Sequence, residues 1–380
     1  MTKHDQDETQ FDFRATTLPG AEEALCEELR ELNFSGVRLN RGGIPFRGTM
    51  QDGWRACLES RIAQRILLLL DRFPADSAES LYAGAKGVAW ERVISPRHTL
   101  SVAAVCRGST LQHSNFAALK VKDAICDRLR DISGARPTVS RDDPDVRVQL
   151  YLANNKASLS LDLSGEPLHR RGYRTEAGEA PLRETLAAVM LRVCGWDRDT
   201  LLVDPMCGSG TIAIEAALWA ANHAPGLDRE RFGFERWANF DDAQAERLRA
   251  LRGSLRRAVR PTRPRIVAAD RDEQVLEIAR ANARRARVKL AFRHQSFLDF
   301  QVGGAEPGAL VMNPPYGVRL EKEPDLVHGI AAAISRLHGW RVCLLAGSPD
   351  YERAIPIRPL RRVMLSNGPI ECALLVYQVP

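Results

Sequence analysis

Residues 201–211 read Leu-Leu-Val-Asp-Pro-Met-Cys-Gly-Ser-Gly-Thr, and this stretch decides the fold class. Its apolar start predicts a buried strand with Asp204 at the tip, and residues 212–220 continue in a helical pattern. A strand, a Gly-x-Gly turn and a helix form the first unit of a doubly wound α/β fold. Gly208 and Gly210 let the backbone approach a ligand closely, and the start of the helix presents free N–H groups to it.

This turn also indicates the kind of ligand. It has no third glycine to complete the dinucleotide fingerprint, so no pyrophosphate need be held there. Asp204 can either bind a ligand ammonium group or order the loop. S-adenosylmethionine has both an amino and a carboxylate end, and it therefore fits the stretch better than NAD.

Later segments supply the rest of a parallel sheet. The runs at 265–270, 290–295 and 340–346 read as strands two, three and five. Asp270 ends strand two, where an acid hydrogen-bonds ribose hydroxyls in this fold class. The chain closes with a predicted hairpin over 361–379, which is typical of class I methyltransferases and unusual for Rossmann dehydrogenases.

Strand four is predicted in the stretch Ala309-Leu310-Val311-Met312-Asn313-Pro314-Pro315-Tyr316. Its four apolar residues fit a strand that is covered on both faces. The two prolines then force the chain to leave the sheet in an extended path. Asn313 is thereby held at the carboxyl edge, where open α/β sheets bind ligands.

The residues after strand four suggest how a substrate is held. The side-chain oxygen of Asn313 and the carbonyl of Pro314 can accept both hydrogens of an exocyclic NH2 group. Tyr316 can stack on the planar base that carries this amine. The simpler alternative is a strand followed by an ordinary Pro-Pro turn. The predicted catalytic residues are Asn313, Pro314, Pro315 and Tyr316.

The composition sets wider bounds. A chain of 380 residues with 44% hydrophobic content suggests two or three domains. The net charge of +6 and the pI of about 9.0 favour a polyanionic partner. Eight cysteines occur without Cys-x-x-Cys or Cys/His spacing, so neither a metal site nor a disulfide framework is predicted. The N-terminus has no apolar signal core, and the predicted location is the cytoplasm.

The first half predicts an α+β region without a catalytic constellation. A strand at 11–15 and a helix at 21–32 precede two short strands, the second at 44–46. A second helix is predicted over 51–70, although its last residues, Ile66–Leu70, read equally well as a strand that pairs with the first sheet.

The following segment predicts a strand at 99–105, an amphipathic helix at 116–129 and a hairpin over 146–163 with an Asn154-Asn155 turn. The helix carries four basic residues near one another, which favour RNA binding. A solvated helix face is the alternative. These residues are Lys120, Lys122, Arg128 and Arg130.

Residues 219–265 interrupt the helix–strand rhythm of the second half. They contain eleven arginines and six acidic residues, an excess that nearly equals the net charge of the chain. Arginines interleaved with aromatic rings suit an RNA surface. Burial of the rings beneath a helical insertion is the alternative. The rings are Phe232, Phe234, Trp237 and Phe240.

Together these motifs resemble the THUMP-containing guanine-N2 RNA methyltransferases, in particular the short form of the bacterial 23S rRNA enzymes. The resemblance covers nearly the whole chain. It rests on residues 204–211, on Asn313-Pro314-Pro315-Tyr316-Gly317, on residues 168–174 and 180–186, and on the stretches 142–148 and 161–165.

The resemblance implies an N-terminal α+β ferredoxin-like and THUMP region that holds RNA, and a C-terminal Rossmann-like class I methyltransferase domain. The implied cofactor is S-adenosylmethionine. The family often has an aspartate after strand three that contacts the adenine amine. Here Ser296 and Phe297 occupy that place, with Asp299 as an alternative contact. The other implied cofactor-binding residues are Asp204, Met206, Cys207, Gly208, Ser209, Gly210, Thr211, Asp270 and Asn313.

We therefore expect a ferredoxin-like piece at 1–52, a THUMP domain at 53–164, a linker at 165–181 and a methyltransferase domain at 182–380. The expected reaction is methyl transfer to N2 of a guanine in 23S rRNA. The base would have to leave its helix to be reached. A tRNA guanine-N2 enzyme, an adenine-N6 DNA methyltransferase and an RNA chaperone without methyltransferase activity are the alternatives.

Overall fold

The computed structural model describes residues 9–174, 182–261, 265–300, 306–315, 325–367 and 370–380. It contains two seven-stranded sheets. The strands of the first sheet are β1 (Phe11–Thr16), β2 (Ile44–Gly48), β3 (Arg65–Pro74), β4 (Thr99–Arg107), β5 (Thr138–Val139), β6 (Val146–Ala153) and β7 (Lys156–Asp162). The helices of this half are α1 (Glu22–Glu31), α2 (Met50–Glu59), α3 (Ala78–Gly87) and α4 (Ser114–Ser133).

The first sheet is continuous, and β3 lies near its centre. The strand order is β2-β1-β3-β7-β6-β4-β5, with β3 antiparallel to both β1 and β7. The helix predicted over 51–70 is too long, because α2 ends at Glu59 and Ile66–Leu70 belongs to β3. In this position, the backbone N–H and C=O groups of the apolar run pair with β1 on one side and with β7 on the other.

In the first half, one prediction from local sequence is confirmed and one is wrong. Asn154 and Asn155 have φ angles of 49° and 58° and close the predicted hairpin of β6 and β7. Asparagine tolerates this left-handed region better than most residues do. The short strand predicted just before β2 is wrong, because that segment forms only a single bridge, between Ser35 and Arg47.

The second sheet has the order β10-β9-β8-β11-β12-β14-β13. Its first five strands are parallel, and β14 is antiparallel to its neighbours. The strands are β8 (Leu202–Asp204), β9 (Ile266–Asp270), β10 (Ala291–His294), β11 (Ala309–Met312), β12 (Arg341–Ala346), β13 (Arg361–Asn367) and β14 (Ile370–Gln378). The helices are α5 (Glu184–Cys194), α6 (Thr211–Ala220), α7 (Asp242–Arg257), α8 (Glu273–Arg285), α9 (Leu326–Ser335) and α10 (Asp350–Ala354). The predicted fold class is confirmed.

The insertion at 219–265 fastens the two halves together. Phe234 stacks on Trp54 of α2 with ring centroids 5.3 Å apart, and Phe232 stacks on Phe234 at 5.5 Å. Phe232, Phe234 and Trp237 are buried, and Phe240 packs partly buried against the same core. The RNA-stacking role predicted for these rings is therefore wrong, because they are enclosed in the junction between the halves.

Two arginines of the insertion complete this junction. Arg236 forms ion pairs with Asp143 and Asp145, which precede β6. Arg229 is buried, and its guanidinium donates to four backbone carbonyls of the segment after β7. The acceptors are Ser164, Glu166, Pro167 and Arg170. A cation buried against carbonyl oxygens replaces its lost hydration only while the segment after β7 stays in place against the insertion.

Across the described ranges, no helix combines the length and the apolar composition that crossing a membrane requires.

Candidate active site

Three polar residues lie at the carboxyl ends of adjacent strands in the second sheet. Asp204 ends β8, Asp270 ends β9, and Asn313 follows β11 directly. β8 pairs in parallel with β9 on one side and with β11 on the other. The strand order reverses between β8 and β11, and open α/β sheets bind their ligands at such a switch point.

Asp204 is a fully buried carboxylate whose surroundings, as far as the structure describes them, leave its oxygens poorly satisfied. Within the part of the chain that the structure describes, neither of its oxygens forms a hydrogen bond of ordinary geometry. Burial raises its pKa well above the usual range, the charge of Asp270 raises it further, and the backbone N–H of Met206 opposes this only weakly. A buried charge in this state is costly unless a ligand cation pairs with it.

The turn after β8 is held by backbone contacts and by Asp270. The N–H of Cys207 donates to the carbonyl of Ala269, and the N–H of Gly208 donates to Oδ2 of Asp270 at 2.9 Å. Gly208 and Gly210 both have positive φ angles, of 53° and 83°. A side chain at Gly210 would also crowd Ala279 at 3.1 Å. The two glycines are therefore required by the backbone path.

The two acids have different tasks. Both oxygens of Asp270 accept backbone hydrogen bonds, from Gly208 and from Asp272. Each carboxylate oxygen has a further lone pair for a ligand hydroxyl. Of the two uses considered for Asp204, the unpaired oxygens favour binding of a ligand cation, because Asp270 is the acid that orders the loop.

The remaining residues of the turn have structural contacts. The thiol of Cys207 is buried, and burial followed by the charges of Asp204 and Asp270 raises its pKa well above the usual value, which makes it a poor nucleophile. Met206 packs partly buried against the apolar core of this half. The carbonyl of Ser209 accepts a hydrogen bond from the side-chain amide of Asn282 at 3.1 Å.

Arg174 ties the segment before α5 to this turn, a role that the sequence pattern did not indicate. Its guanidinium donates to the hydroxyl of Thr211 at 2.5 Å and to the carbonyl of Leu182 at 2.8 Å, and it lies 3.5 Å from Glu184. The start of α6 is thus fixed from outside the sheet. Residues 175–181 of the predicted linker lie outside the described residues.

Asn313 presents a second unpaired acceptor at the same edge. Its Oδ1 atom is buried and has no donor among the residues described, and no described donor reaches the carbonyl of Pro314. The next carbonyl is occupied, because the hydroxyl of Tyr351 donates to Pro315 at 2.8 Å. Tyr351 lies fully buried in α10, and no sequence motif indicates this contact. Tyr316 lies outside the described residues.

The segment after β10 offers little beyond its backbone. Ser296 caps the short turn Phe297–Asp299 by accepting the N–H of Leu298 at 3.2 Å. Phe297 is buried in the core, while Asp299 is exposed. The contacts of Ser296, Phe297 and Asp299 with an adenine ring stay predictions.

Three sequence families match this chain. Residues 171–375 match the family described as RMKL-like, methyltransferase domain, which is more than half of the chain. Residues 75–162 match the THUMP domain, and residues 12–67 match the RlmL ferredoxin-like domain.

Curated relatives and solved structures agree with these matches. The ribosomal RNA large subunit methyltransferase K/L of Magnetococcus marinus is 40% identical over 382 residues, which are 97% of this chain and 53% of that protein. The chain thus spans about half the length of the curated relatives it matches.

Among solved structures, SMU.472, described as a methyltransferase and crystallised in complex with SAH, superposes with a TM-score of 0.86 and is 29% identical over 98% of this chain and 99% of that one. A predicted N6-adenine-specific DNA methylase from Listeria monocytogenes has a TM-score of 0.87 and 29% identity over 100% of this chain and 99% of that one.

Strand order, the acids at the switch point and these matches lead to one assignment: the chain belongs to the RMKL-like methyltransferase family, carries RlmL ferredoxin-like and THUMP domains, and uses S-adenosylmethionine as its methyl donor.

Proposed function

We propose that this protein methylates the exocyclic N2 of a guanine in RNA, with 23S rRNA as the substrate. One observation carries the proposal: at the switch point of the sheet, the buried Oδ1 atom of Asn313 has no donor among the residues that the structure describes. An exocyclic amine would satisfy this acceptor, and the free carbonyl of Pro314 would take its second hydrogen. The likeness to the K/L enzymes supports ribosomal RNA as the substrate.

The residues of this site would act by holding and polarising the amine. S-adenosylmethionine supplies an electrophilic methyl group, and the unpaired carboxylate of Asp204 suits its ammonium end. Two acceptors on the amine hydrogens would draw the nitrogen lone pair out of conjugation with the ring and make it more nucleophilic. Fixing the amine in one place would supply much of the rate enhancement. The proton that leaves becomes acidic once the nitrogen is alkylated, so we assign no dedicated base.

We propose the domain limits 1–52, 53–164, 165–181 and 182–380 for the ferredoxin-like piece, the THUMP domain, the linker and the methyltransferase domain. In this arrangement the first two units hold RNA and the last carries out the transfer. We also propose the cytoplasm as the location of the protein, because the proposed rRNA substrate would be met there.

Tyr351→Phe is expected to lower kcat by about fivefold while leaving the KM for S-adenosylmethionine unchanged. The ring keeps its buried packing, but the carbonyl of Pro315 loses its 2.8 Å hydrogen bond, and one such bond is worth about 1 kcal/mol. Tyr351 would thus be a positioning residue for the Asn313-Pro314 acceptors. Steady-state kinetics with saturating RNA give the comparison.

Tyr377→Phe is the matched control for this variant. Tyr377 is equally buried, and its hydroxyl has no hydrogen-bond partner in the described ranges. Burial raises the pKa of this hydroxyl to about 12. Its removal should leave kcat unchanged. Equal kcat in Tyr351→Phe and wild type would contradict the positioning role.

An adenine-N6 DNA methyltransferase is the second candidate, because an adenine amine offers the same two hydrogens to Asn313 and Pro314. The Listeria relative, named as a DNA methylase of this kind, favours it. The first half of the chain, which matches the THUMP domain, favours RNA.

Nucleoside mass spectrometry separates the candidates. The purified protein is incubated with labelled S-adenosylmethionine and, in separate reactions, with unmodified 23S rRNA, tRNA or duplex DNA. We expect N2-methylguanosine in the rRNA reaction alone. The same product in tRNA alone would move the assignment to tRNA, and N6-methyladenine in DNA would overturn it. Absence of S-adenosylmethionine binding by calorimetry would instead favour an RNA chaperone.

A further inference from the structure

The open face of the first sheet contains a depression of about 540 Å³. It extends across strands β1, β2, β3, β4, β6 and β7, and the loop before β2 forms part of its rim. Six arginines line it, with Asp12 as the one acidic residue in the lining. They are Arg14, Arg38, Arg41, Arg47, Arg72 and Arg107. We call this depression the arginine groove.

Most of this positive charge is not neutralised. Arg47 pairs with Asp12 at 2.7 Å. The other five arginines form no ion pair with any residue that the structure describes. Partial burial and the nearby charge of Arg72 lower the pKa of Arg14, as expected where like charges are brought together. Converging unpaired cations of this kind favour a polyanionic occupant.

Strand register adds a surface for a flat ring. Arg72 on β3 lies opposite Ser158 on β7, Ser158 lies opposite Tyr151 on β6, and Tyr151 lies opposite Val105 on β4. Tyr151 is 42% exposed and Val105 is 45% exposed. A cation, a hydroxyl and an open aromatic ring therefore follow one another across the floor of the groove.

The basic helix α4 differs from the groove in this respect. Lys122 pairs with Asp123, Arg128 with Glu91, and Arg130 with Asp127. Lys120 lies over the ring of Phe116 at 5.7 Å. The charges that the sequence indicated as an RNA surface are thus largely neutralised by neighbours, and they favour the alternative of a solvated helix face.

We propose that the arginine groove binds an unpaired strand of the RNA substrate, with its phosphates on the arginines and one base on Tyr151. This inference rests on the proposed function for the identity of the polyanion. A single strand exposes base faces that can stack on an aromatic ring, whereas those of a duplex are covered by their neighbours. Exposed tyrosine beside unpaired arginine on an open sheet fits that ligand better than a duplex or an acidic peptide.

The test measures binding of a fluorescent single-stranded RNA of twelve nucleotides by anisotropy, without S-adenosylmethionine. The triple variant Arg38→Gln, Arg72→Gln and Arg107→Gln removes three exposed groove charges. Each lost phosphate contact on a single strand reduces the magnitude of the negative slope of log K against log salt by about 0.7. The slope of the triple variant should therefore be less negative by about 2. Binding should weaken by at least about tenfold at low salt.

The matched control removes the same charge elsewhere. Arg30, Arg92 and Arg97 are exposed, do not line the groove and have no ion pair within the described ranges. Their triple glutamine variant should retain the wild-type slope. Equal losses in the two triple variants would overturn the proposal, because binding would then follow total charge alone.

Tyr151 and a duplex ligand provide the remaining outcomes. Tyr151→Ala should weaken single-strand binding by about tenfold, and Tyr151→Phe should not, because stacking needs only the ring. Tighter binding of a duplex of equal charge, or of a polyglutamate peptide, would refute an unpaired RNA strand as the occupant. The binding assay requires no methyl transfer, so its result stands even if the proposed methylation target is wrong. If the groove variants bind RNA normally, the identity of the methylated nucleoside found by mass spectrometry is likewise unaffected.

Discussion

Asn313→Ala is expected to bind S-adenosylmethionine with nearly wild-type affinity and to lose methyl transfer by roughly a hundredfold to a thousandfold. The side-chain oxygen is buried and has no hydrogen-bond donor among the described residues, which leaves it available to a substrate amine. Losing one preorganised polar contact to a reacting group costs on the order of 10²–10³ in rate. Calorimetry with S-adenosylmethionine and single-turnover methylation of rRNA measure the two effects.

Stability separates this loss from misfolding. Because Oδ1 accepts no hydrogen bond from the described residues, alanine removes none of these contacts, and the melting temperature should stay within a few degrees of wild type. Asn313→Asp keeps oxygen acceptors at the same position and should retain more activity than Asn313→Ala. Full activity in the alanine variant would rule out the amine-holding mechanism.

Asp204→Asn is expected to weaken S-adenosylmethionine binding by on the order of a hundredfold while raising the melting temperature of the free protein. Removing one partner of a buried charge pair costs about 2–5 kcal/mol of binding free energy. Without the ligand, the ionised form of this buried carboxylate has no hydrogen-bond partner of ordinary geometry among the described residues, and a neutral isostere relieves the cost of that ionisation. Calorimetric titration and thermal unfolding give the two numbers.

The pH dependence of this stabilisation has a definite sign. Burial raises the folded-state pKa of Asp204. The protonated side chain therefore makes its full contribution to the free energy of unfolding below the unfolded pKa of about 3.9, and this contribution is lost as pH rises through the folded pKa. The melting-temperature gain of Asp204→Asn should therefore be present at neutral pH and disappear below about pH 4.

Asp199→Asn is the control for Asp204→Asn, because Asp199 is exposed and five residues upstream. It should change neither affinity nor melting temperature. A wild-type affinity in Asp204→Asn would show that this acid does not meet the ligand cation.

The second sheet was predictable because its signals are local. Each strand is a short apolar run, and each of the residues Asp204, Asp270 and Asn313 stands directly at or after the end of its own run. Parallel pairing then brings these ends to one edge without further information. The sequence could not predict which acid orders the loop and which is left for a ligand, because this depends on which carboxylate accepts the Gly208 N–H.

Other features depend on distant segments, and local patterns could not identify them. The Ile66–Leu70 run becomes a strand because β1 and β7 supply partners on both sides. Phe234 is buried because Trp54, far earlier in the chain, stacks on it. Tyr351 reaches Pro315 across 36 residues, and no motif marks it.

The buried guanidinium of Arg229 has a consequence for substrate selection. Arg229 binds the carbonyl of Ser164 and three carbonyls of the linker that follows, and Phe234 of the same insertion stacks on Trp54 of the first half. A hinge motion between the halves would break this stacking and would expose the buried cation wherever the linker moved with it. If the proposed function and the proposed groove both hold, restricted motion between the halves would keep the arginine groove and the Asn313 edge at a nearly constant separation. A target guanine would then be selected by its position in the folded RNA relative to an unpaired strand.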